Sequence, residues 1–119
     1  MGALTRWLAR LNESDEERLA AETRAWAGSI PGSVRIADAP KRQPVKIAGV
    51  IRRITVLPME GAEALAALIS DGTGELTAQF MGRRGIGGLS LGRHVVIEGV
   101  LSEQHGELRM VNPRLEFAR

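Results

Sequence analysis

Apolar and polar residues alternate on both sides of a short glycine-rich stretch, Asp71-Gly72-Thr73-Gly74. Leu65, Ala67 and Ile69 lead into it, Leu76, Ala78 and Phe80 lead out, and Ser70, Thr77 and Gln79 take intervening positions. A period of two puts alternate side chains on opposite faces, so the pattern predicts two strands with one apolar and one mildly polar face. Asp-Gly between two such runs is a hairpin signal. A two-residue turn that matches strand twist needs positive φ, which glycine accepts and aspartate tolerates. Gly74 is a second permissive position, which leaves a longer, bulged loop open.

The alternation recurs upstream and downstream. In "VKIAGVIRRITV" it runs through Val45, Ile47, Gly49 and Ile51, slips by one at Arg52-Arg53, and resumes at Ile54 and Val56. A one-residue slip within a continuing strand predicts a bulge. Gly49 stands where a strongly curved strand needs a missing side chain. "LPMEGAE" (57–63) reads as a loop and "GRRGIGGLSLGR" (82–93) as a glycine-rich connector. "HVVIEGVL" repeats the first pattern through Val95, Ile97, Gly99 and Leu101; His105-Gly106 turns the chain, and "LRMVNPRLEF" is a last strand with Leu108 and Met110 inward.

The first 27 residues have a different period. Leu4, Trp7, Leu8 and Leu11 fall at i, i+3, i+4 and i+7, one face of a helix. Ser14 with Glu17 three residues on is a capping-box signature, and Leu19, Thr23 and Trp26 continue a stripe. Either two short helices meet near Asn12–Glu13 or one runs through, and Gly28 ends it. "GSIPGS" (28–33) is a linker by composition, and Pro40 and Pro44 keep the next stretch irregular. The expected organisation is a helical arm and linker over residues 1–33 and a barrel domain over 34–119. Five short strands predict a mainly β protein, a five-stranded Greek-key OB-fold barrel, with an SH3-like barrel as the rival.

Composition narrows the chemistry. At 119 residues the chain makes one domain, and 44% hydrophobic content is ordinary for a buried core. There is no cysteine, which excludes a disulfide scaffold and thiol chemistry and fits a reducing compartment. No apolar run approaches ~18 residues, so no membrane span or membrane partner is expected. The start, "MGALTRWLARL", is too short and too charged for a signal peptide and has Arg6 where myristoylation needs Ser or Thr. A cytoplasmic protein is expected. Net charge is +2; in residues 1–26 four basic residues against five acidic leave −1, and the rest of the chain, where the cations are mainly arginine, carries the excess. Arginine makes planar, bidentate phosphate contacts, so a polyanion partner is permitted.

The strings "VKIAGVIRRITV", "LISDGTGELTAQFMG" and "LGRHVVIEGVLSEQHGELRMVNPRLE" resemble the OB-fold domains of the tRNA-anticodon and helicase type. The wedge domain of RecG-type branch-migration helicases carries a similar series. The whole chain is similar to small stand-alone bacterial OB-fold nucleic-acid-binding proteins with a helical arm in front. The resemblance covers roughly residues 34–117 and rests on Gly49, Asp71, Gly72, Gly74, Gly92, Gly99 and Pro113, which shape the barrel. It implies binding of single-stranded or branched DNA, or of RNA, on the face of the second and third strands and their flanking loops.

On that face the outward residues are Leu68, Ser70, Thr77, Gln79 and Met81, with Arg52, Arg53, Arg83, Arg84, Arg109 and Arg114 nearby. The arginines would hold phosphates, Gln79 would reach a base edge and Met81 would pack on one. Each arginine taken alone is an ordinary solvated residue; the Arg52-Arg53 and Arg83-Arg84 pairs argue together for a phosphate-facing surface. The chain has four aromatics, Trp7, Trp26, Phe80 and Phe117, none placed as a stacking platform: Phe80 has inward parity, the tryptophans lie on helical stripes, and Phe117 closes the barrel or faces out. Binding then rests mostly on phosphates and is expected to be weak, salt-sensitive and sequence-tolerant. Glu60 and Glu63 would repel a backbone near them.

No catalytic arrangement emerges. "GRRGIGG" lacks the Lys-Ser/Thr of a phosphate loop, His94 and His105 have no ligand spacing, and Glu98 and Glu103 have no cleft in a filled barrel. The chain is expected to be no enzyme, with no cofactor, no metal and no small-molecule substrate. The alternative is a protein-interaction module. The helical arm carries more apolar surface than a barrel needs, and either packs back on the barrel or engages a partner or a second copy.

Overall fold

The computed structural model describes residues 2–118, the side chains of residues 3, 4, 7–13 and 59 excepted. One helix, α1 (Gly2–Gly28), runs without a break through Ser14. The capping signature there starts no new helix: Ser14 and Glu17 are exposed mid-helix, and Asp15 pairs with Arg18 one turn on. The apolar stripe of Leu4, Trp7, Leu8 and Leu11 lies outside the described side chains. In the following half Leu19 is exposed, and the half-buried or buried positions are Ala20, Thr23, Trp26 and Ala27. In this half the helix turns Ala20, Thr23, Trp26 and Ala27 to the barrel and leaves Leu19 outside.

Six strands follow: β1 (Pro44–Met59), β2 (Ala62–Ser70), β3 (Glu75–Met81), β4 (His94–Gln104), β5 (Glu107–Val111) and β6 (Arg114–Phe117). β1 pairs with β4 over residues 44–50 and with β2 over 50–59. Between those halves Ile51 opposes Ile69 and Arg53 opposes Leu68, which leaves Arg52 as the extra residue of a bulge. At the handover sits Gly49, where an added Cβ would lie 2.6 Å from Ile69 Cγ2 and 2.8 Å from the Ser70 carbonyl oxygen. The missing side chain lets one strand bend from one neighbour to the other.

The order β1-β2-β3-β5-β4 closes through the β1–β4 pairing into a barrel; β3–β5 is parallel and the other pairs are antiparallel. The expected fifth strand is present but broken. β5 and β6 both pair with β4, and one extra residue separates their registers across Asn112-Pro113. Asn112 has φ 49°, which asparagine tolerates; its N–H donates to the Gln79 carbonyl at 2.7 Å and its Oδ1 accepts the Met81 N–H at 2.9 Å. The chain therefore stays tied to β3 while its direction changes.

The stretch 57–63, expected to be a loop, is a hairpin instead. β1 runs on to Met59 and β2 begins at Ala62, joined by Glu60-Gly61 with Gly61 at φ 73°. Pro58 is accommodated because β1 beyond Ile51 pairs with β2 on one side only, among the described residues. His105 and Gly106, both at positive φ, make the expected β4–β5 turn. The core is the inward set of all strands: Ile47, Ile51, Leu65, Ile69, Leu76, Ile97, Leu101 and Met110 are 2% exposed or less. Phe80 joins it, as its parity requires. Among the described residues no helix is long and apolar enough to cross a membrane.

Candidate functional site

The Asp71–Gly74 stretch is a four-residue loop, since Ser70 and Glu75 are the last pair of the β2–β3 ladder. Only Gly72, at φ 83°, is left-handed within it. Asp71 contributes through its side chain instead: Oδ1 accepts from the Thr73 N–H (2.8 Å), the Thr73 hydroxyl (2.6 Å) and the Gly74 N–H (3.2 Å), and Oδ2 accepts from the Ile36 N–H at 2.8 Å. The carboxylate thus ties the loop to the 3-10 turn Ile36–Asp38. Helix α1 rests on the same loop. Arg24 Nη1 donates to the Gly72 carbonyl at 3.0 Å, and a Cβ on Gly72 would lie 2.4 Å from the Ala20 carbonyl oxygen.

This places the helix at one end of the barrel. Helix α1 covers the Val50–Ser70–Glu75 end of the outer face, and beyond it, over β1, β2, β3 and β5, lies an open groove of about 630 Å³ that no described residue of α1 lines. Its floor follows from the ladders. Arg53 opposes Leu68, Leu68 opposes Thr77, and Thr77 opposes Arg109, a continuous row across four strands. The next row runs from Thr55 through Ala66 and Gln79 to Val111. One wall comes from the β1–β2 hairpin, with Thr55 and Leu57, and the other from the β4–β5 turn, with Gly106, Glu107 and Leu108. Arg53 and Arg109 stand at the two ends of this row, three strand spacings of ~4.8 Å apart along the curved sheet.

The two arginines are held differently. Arg109 is half-buried, and its Nη1 donates to Gln104 Oε1 across the β4–β5 hairpin. Arg53 is exposed and makes no hydrogen bond or ion pair among the described residues. Gln79 is 9% exposed, lines the groove, and its amide has no protein partner among the described residues. Glu75 and Glu107 also line the groove, so its charge is mixed. Among the described residues no aromatic ring lines the groove.

The site residues expected from the sequence therefore separate. Arg53, Thr77, Gln79 and Arg109 come together in the groove, with Leu68 between them. Met81 is exposed one row further along β3, opposite Ala64. Arg52, the bulge residue, lines a smaller cleft of about 180 Å³ against Glu16, Ala20 and Thr23 of α1. Arg84 Nε pairs with Glu63 Oε2 at 2.8 Å beside the β1–β2 hairpin, and Arg83 is exposed in the same connector. Arg114 pairs with Glu116 on β6, beyond the Asn112 break. Thr55, Leu57, Glu107 and Leu108 are groove residues the sequence pattern did not single out. The first two fell at or next to a stretch read as loop, and Leu108 has inward parity yet stays half-buried at the rim.

Trp26 and Phe117 sit elsewhere. Trp26 meets His94 edge-on, ring centroids 4.5 Å apart, at the join of helix and barrel. Phe117 lies under the Arg93 guanidinium at 4.7 Å and against Gly88.

No known family's sequence pattern and no curated protein matches this chain. In fold it is similar to a chain of a replication protein A heterotrimer solved bound to ssDNA, with a TM-score of 0.53, 13% identity, and coverage of 76% of this chain and 68% of that chain. The chain folds as an OB barrel. At that identity the likeness is one of fold.

Proposed function

We propose that this OB barrel is a non-catalytic module that binds single-stranded nucleic acid in the groove over β1, β2, β3 and β5. The observation that carries the reading is the row Arg53–Leu68–Thr77–Arg109, which sets two guanidinium groups on opposite sides of a narrow, mainly neutral floor. A strand lying across the row places phosphates at its two ends and sugar or base between them. The structural likeness to a chain solved in an ssDNA-bound assembly supports the same reading. So does the position of the helix, none of whose described residues lines the groove.

The geometry also sets the character of binding. Arg52, Arg83, Arg84 and Arg114 lie outside the groove, so the phosphate contacts number about two and not six. For single strands the salt slope is about −0.7 per phosphate neutralised, giving about −1.4. Glu75 and Glu107 at the rim discourage a backbone from straying off the row.

The test is fluorescence anisotropy with labelled 12-nucleotide DNA and RNA strands and a forked duplex, at low and at physiological salt. Micromolar or tighter binding at low salt, weakened by Arg53→Ala and by Arg109→Ala, supports the reading. No binding by the folded protein at low salt overturns it. The absence of an aromatic ring from the groove and the apolar Leu57, Leu68 and Leu108 within it favour, as the second reading, an extended protein segment as the occupant.

A further inference from the structure

The feature of the groove that phosphate binding leaves unused is Gln79. Its backbone is fixed on both sides: Gln79 opposes Ala66 on β2 and Val111 on β5, and its carbonyl accepts the Asn112 N–H. The residue is 9% exposed, yet its amide makes no hydrogen bond within the protein among the described residues. No fully buried side-chain nitrogen or oxygen lacks a partner among the described residues, so the unpaired amide atoms of Gln79, a groove-lining residue, keep some exposure. A carboxamide presents a donor and an acceptor side by side. In the empty groove water meets both. A ligand that expels this water must replace both bonds or leave a polar atom orphaned.

That requirement discriminates among polyanions. A phosphate chain offers only acceptors; it satisfies the Gln79 NH₂ and strands the carbonyl. An unpaired base offers a donor and an acceptor next to each other on its pairing edge. Adenine and cytosine present an amino group beside a ring nitrogen acceptor, and guanine and thymine a ring N–H beside a carbonyl. A carboxamide turned by half a rotation meets either order. In a duplex those edges are already occupied. The neighbours suit a base as well: Ala66 and Leu68 provide apolar floor, and Thr77 lies on the same strand two residues away.

We propose that Gln79 makes the groove selective for unpaired nucleobases, whatever their identity, by pairing its amide with the donor–acceptor edge that base pairing would otherwise hide. This rests on the nucleic-acid reading of the groove and adds to it what is read. Arg53 and Arg109 place the backbone; Gln79 requires a free base. Sequence tolerance and single-strand preference then come from one side chain, without a stacking ring.

The test compares two DNA 12-mers of equal charge, one of thymidine and one with an abasic backbone, by anisotropy at low salt. DNA has no 2′-hydroxyl, so a sugar contact does not imitate a base contact. The intact protein is expected to bind the thymidine strand about tenfold more tightly than the abasic strand. Gln79→Met, which keeps length and volume, should bring that ratio to within about twofold of one. A second measurement needs no variant: a strand of N3-methylthymidine, whose edge lacks the donor, should fall toward the abasic value. An unchanged ratio in Gln79→Met, or equal binding of the methylated and unmodified strands, overturns the role of Gln79 and leaves the groove reading standing. Binding of neither 12-mer by the intact protein overturns both.

Discussion

Asp71 Oδ2 accepts the backbone N–H of Ile36 at 2.8 Å, a bond between residues 35 positions apart that closes one end of the barrel. The other carboxylate oxygen is occupied within the β2–β3 loop, and Asp71 itself is 2% exposed. One side chain therefore shapes the hairpin loop and anchors the segment that leads from the helix into β1. A buried carboxylate is tolerated because backbone and hydroxyl donors surround it. Ile36, which it positions, is 2% exposed and belongs to the core.

Replacing this carboxylate should be costly. Asp71→Ala leaves the N–H groups of Ile36, Thr73 and Gly74 without their acceptor, and a loss of about 2–4 kcal/mol is expected. Asp71→Asn, which keeps one carbonyl oxygen, should lose less. Urea denaturation of the two variants checks the order. Equal midpoints for wild type and Asp71→Ala would show that the bond contributes nothing net.

The two strand glycines should differ. An added Cβ at Gly49 meets the Ser70 carbonyl at 2.8 Å, which is backbone and cannot yield. At Gly99 it meets Met110 Sδ at 2.9 Å, the movable part of a flexible side chain. Gly49→Ala is expected to cost about 2–3 kcal/mol and Gly99→Ala about 1 kcal/mol, within the usual range for overpacking. Thermal melts of both variants measure the difference.

Gly72 carries two constraints at once, a positive φ of 83° and contact with the Ala20 carbonyl. Gly72→Ala should push α1 off the β2–β3 loop and lose the Arg24–Gly72 hydrogen bond while the barrel persists. Hydrogen exchange provides the readout. Amides of residues 20–28 should lose protection about tenfold or more, and those of β4 should keep theirs. Uniform loss across the chain would mean that helix and barrel unfold as one unit.

Salt dependence separates groove arginines from the rest. Removing Arg53 or Arg109 should each reduce the magnitude of the single-strand salt slope by about 0.7. Arg83→Ala with Arg84→Ala, and Arg114→Ala, should leave it nearly unchanged. If the Arg83-Arg84 pair proves to carry the slope, the ligand lies over the β3–β4 connector and not in the groove.

Much of the barrel is determined by the sequence alone, because the signals are local. Alternation sets which side of each strand is buried, and Ile69, Leu76, Ile97 and Met110 all obey it. The slip at Arg52-Arg53 marks the bulge, and His105-Gly106 marks its turn. Local signals mislead where context reverses their usual meaning. Pro58 and Gly61 look like loop punctuation, but Pro58 sits where β1 has one neighbour and Gly61 makes a two-residue turn. "LRMVNPRLEF" reads as one strand, and it took Asn112 bonding to β3 to show that it breaks. What only the tertiary structure decided is which side chains meet. Adjacency in sequence does not place Arg52 and Arg53 on one surface, because the bulge gives one to the helix cleft and the other to the groove. The row that joins Arg53 to Arg109 passes through three strand pairings, and the placement of Gln79 in the groove depends on its neighbours across β2 and β5. Periodicity is a property of neighbouring residues, whereas a binding surface is made by ladders that join residues more than fifty positions apart.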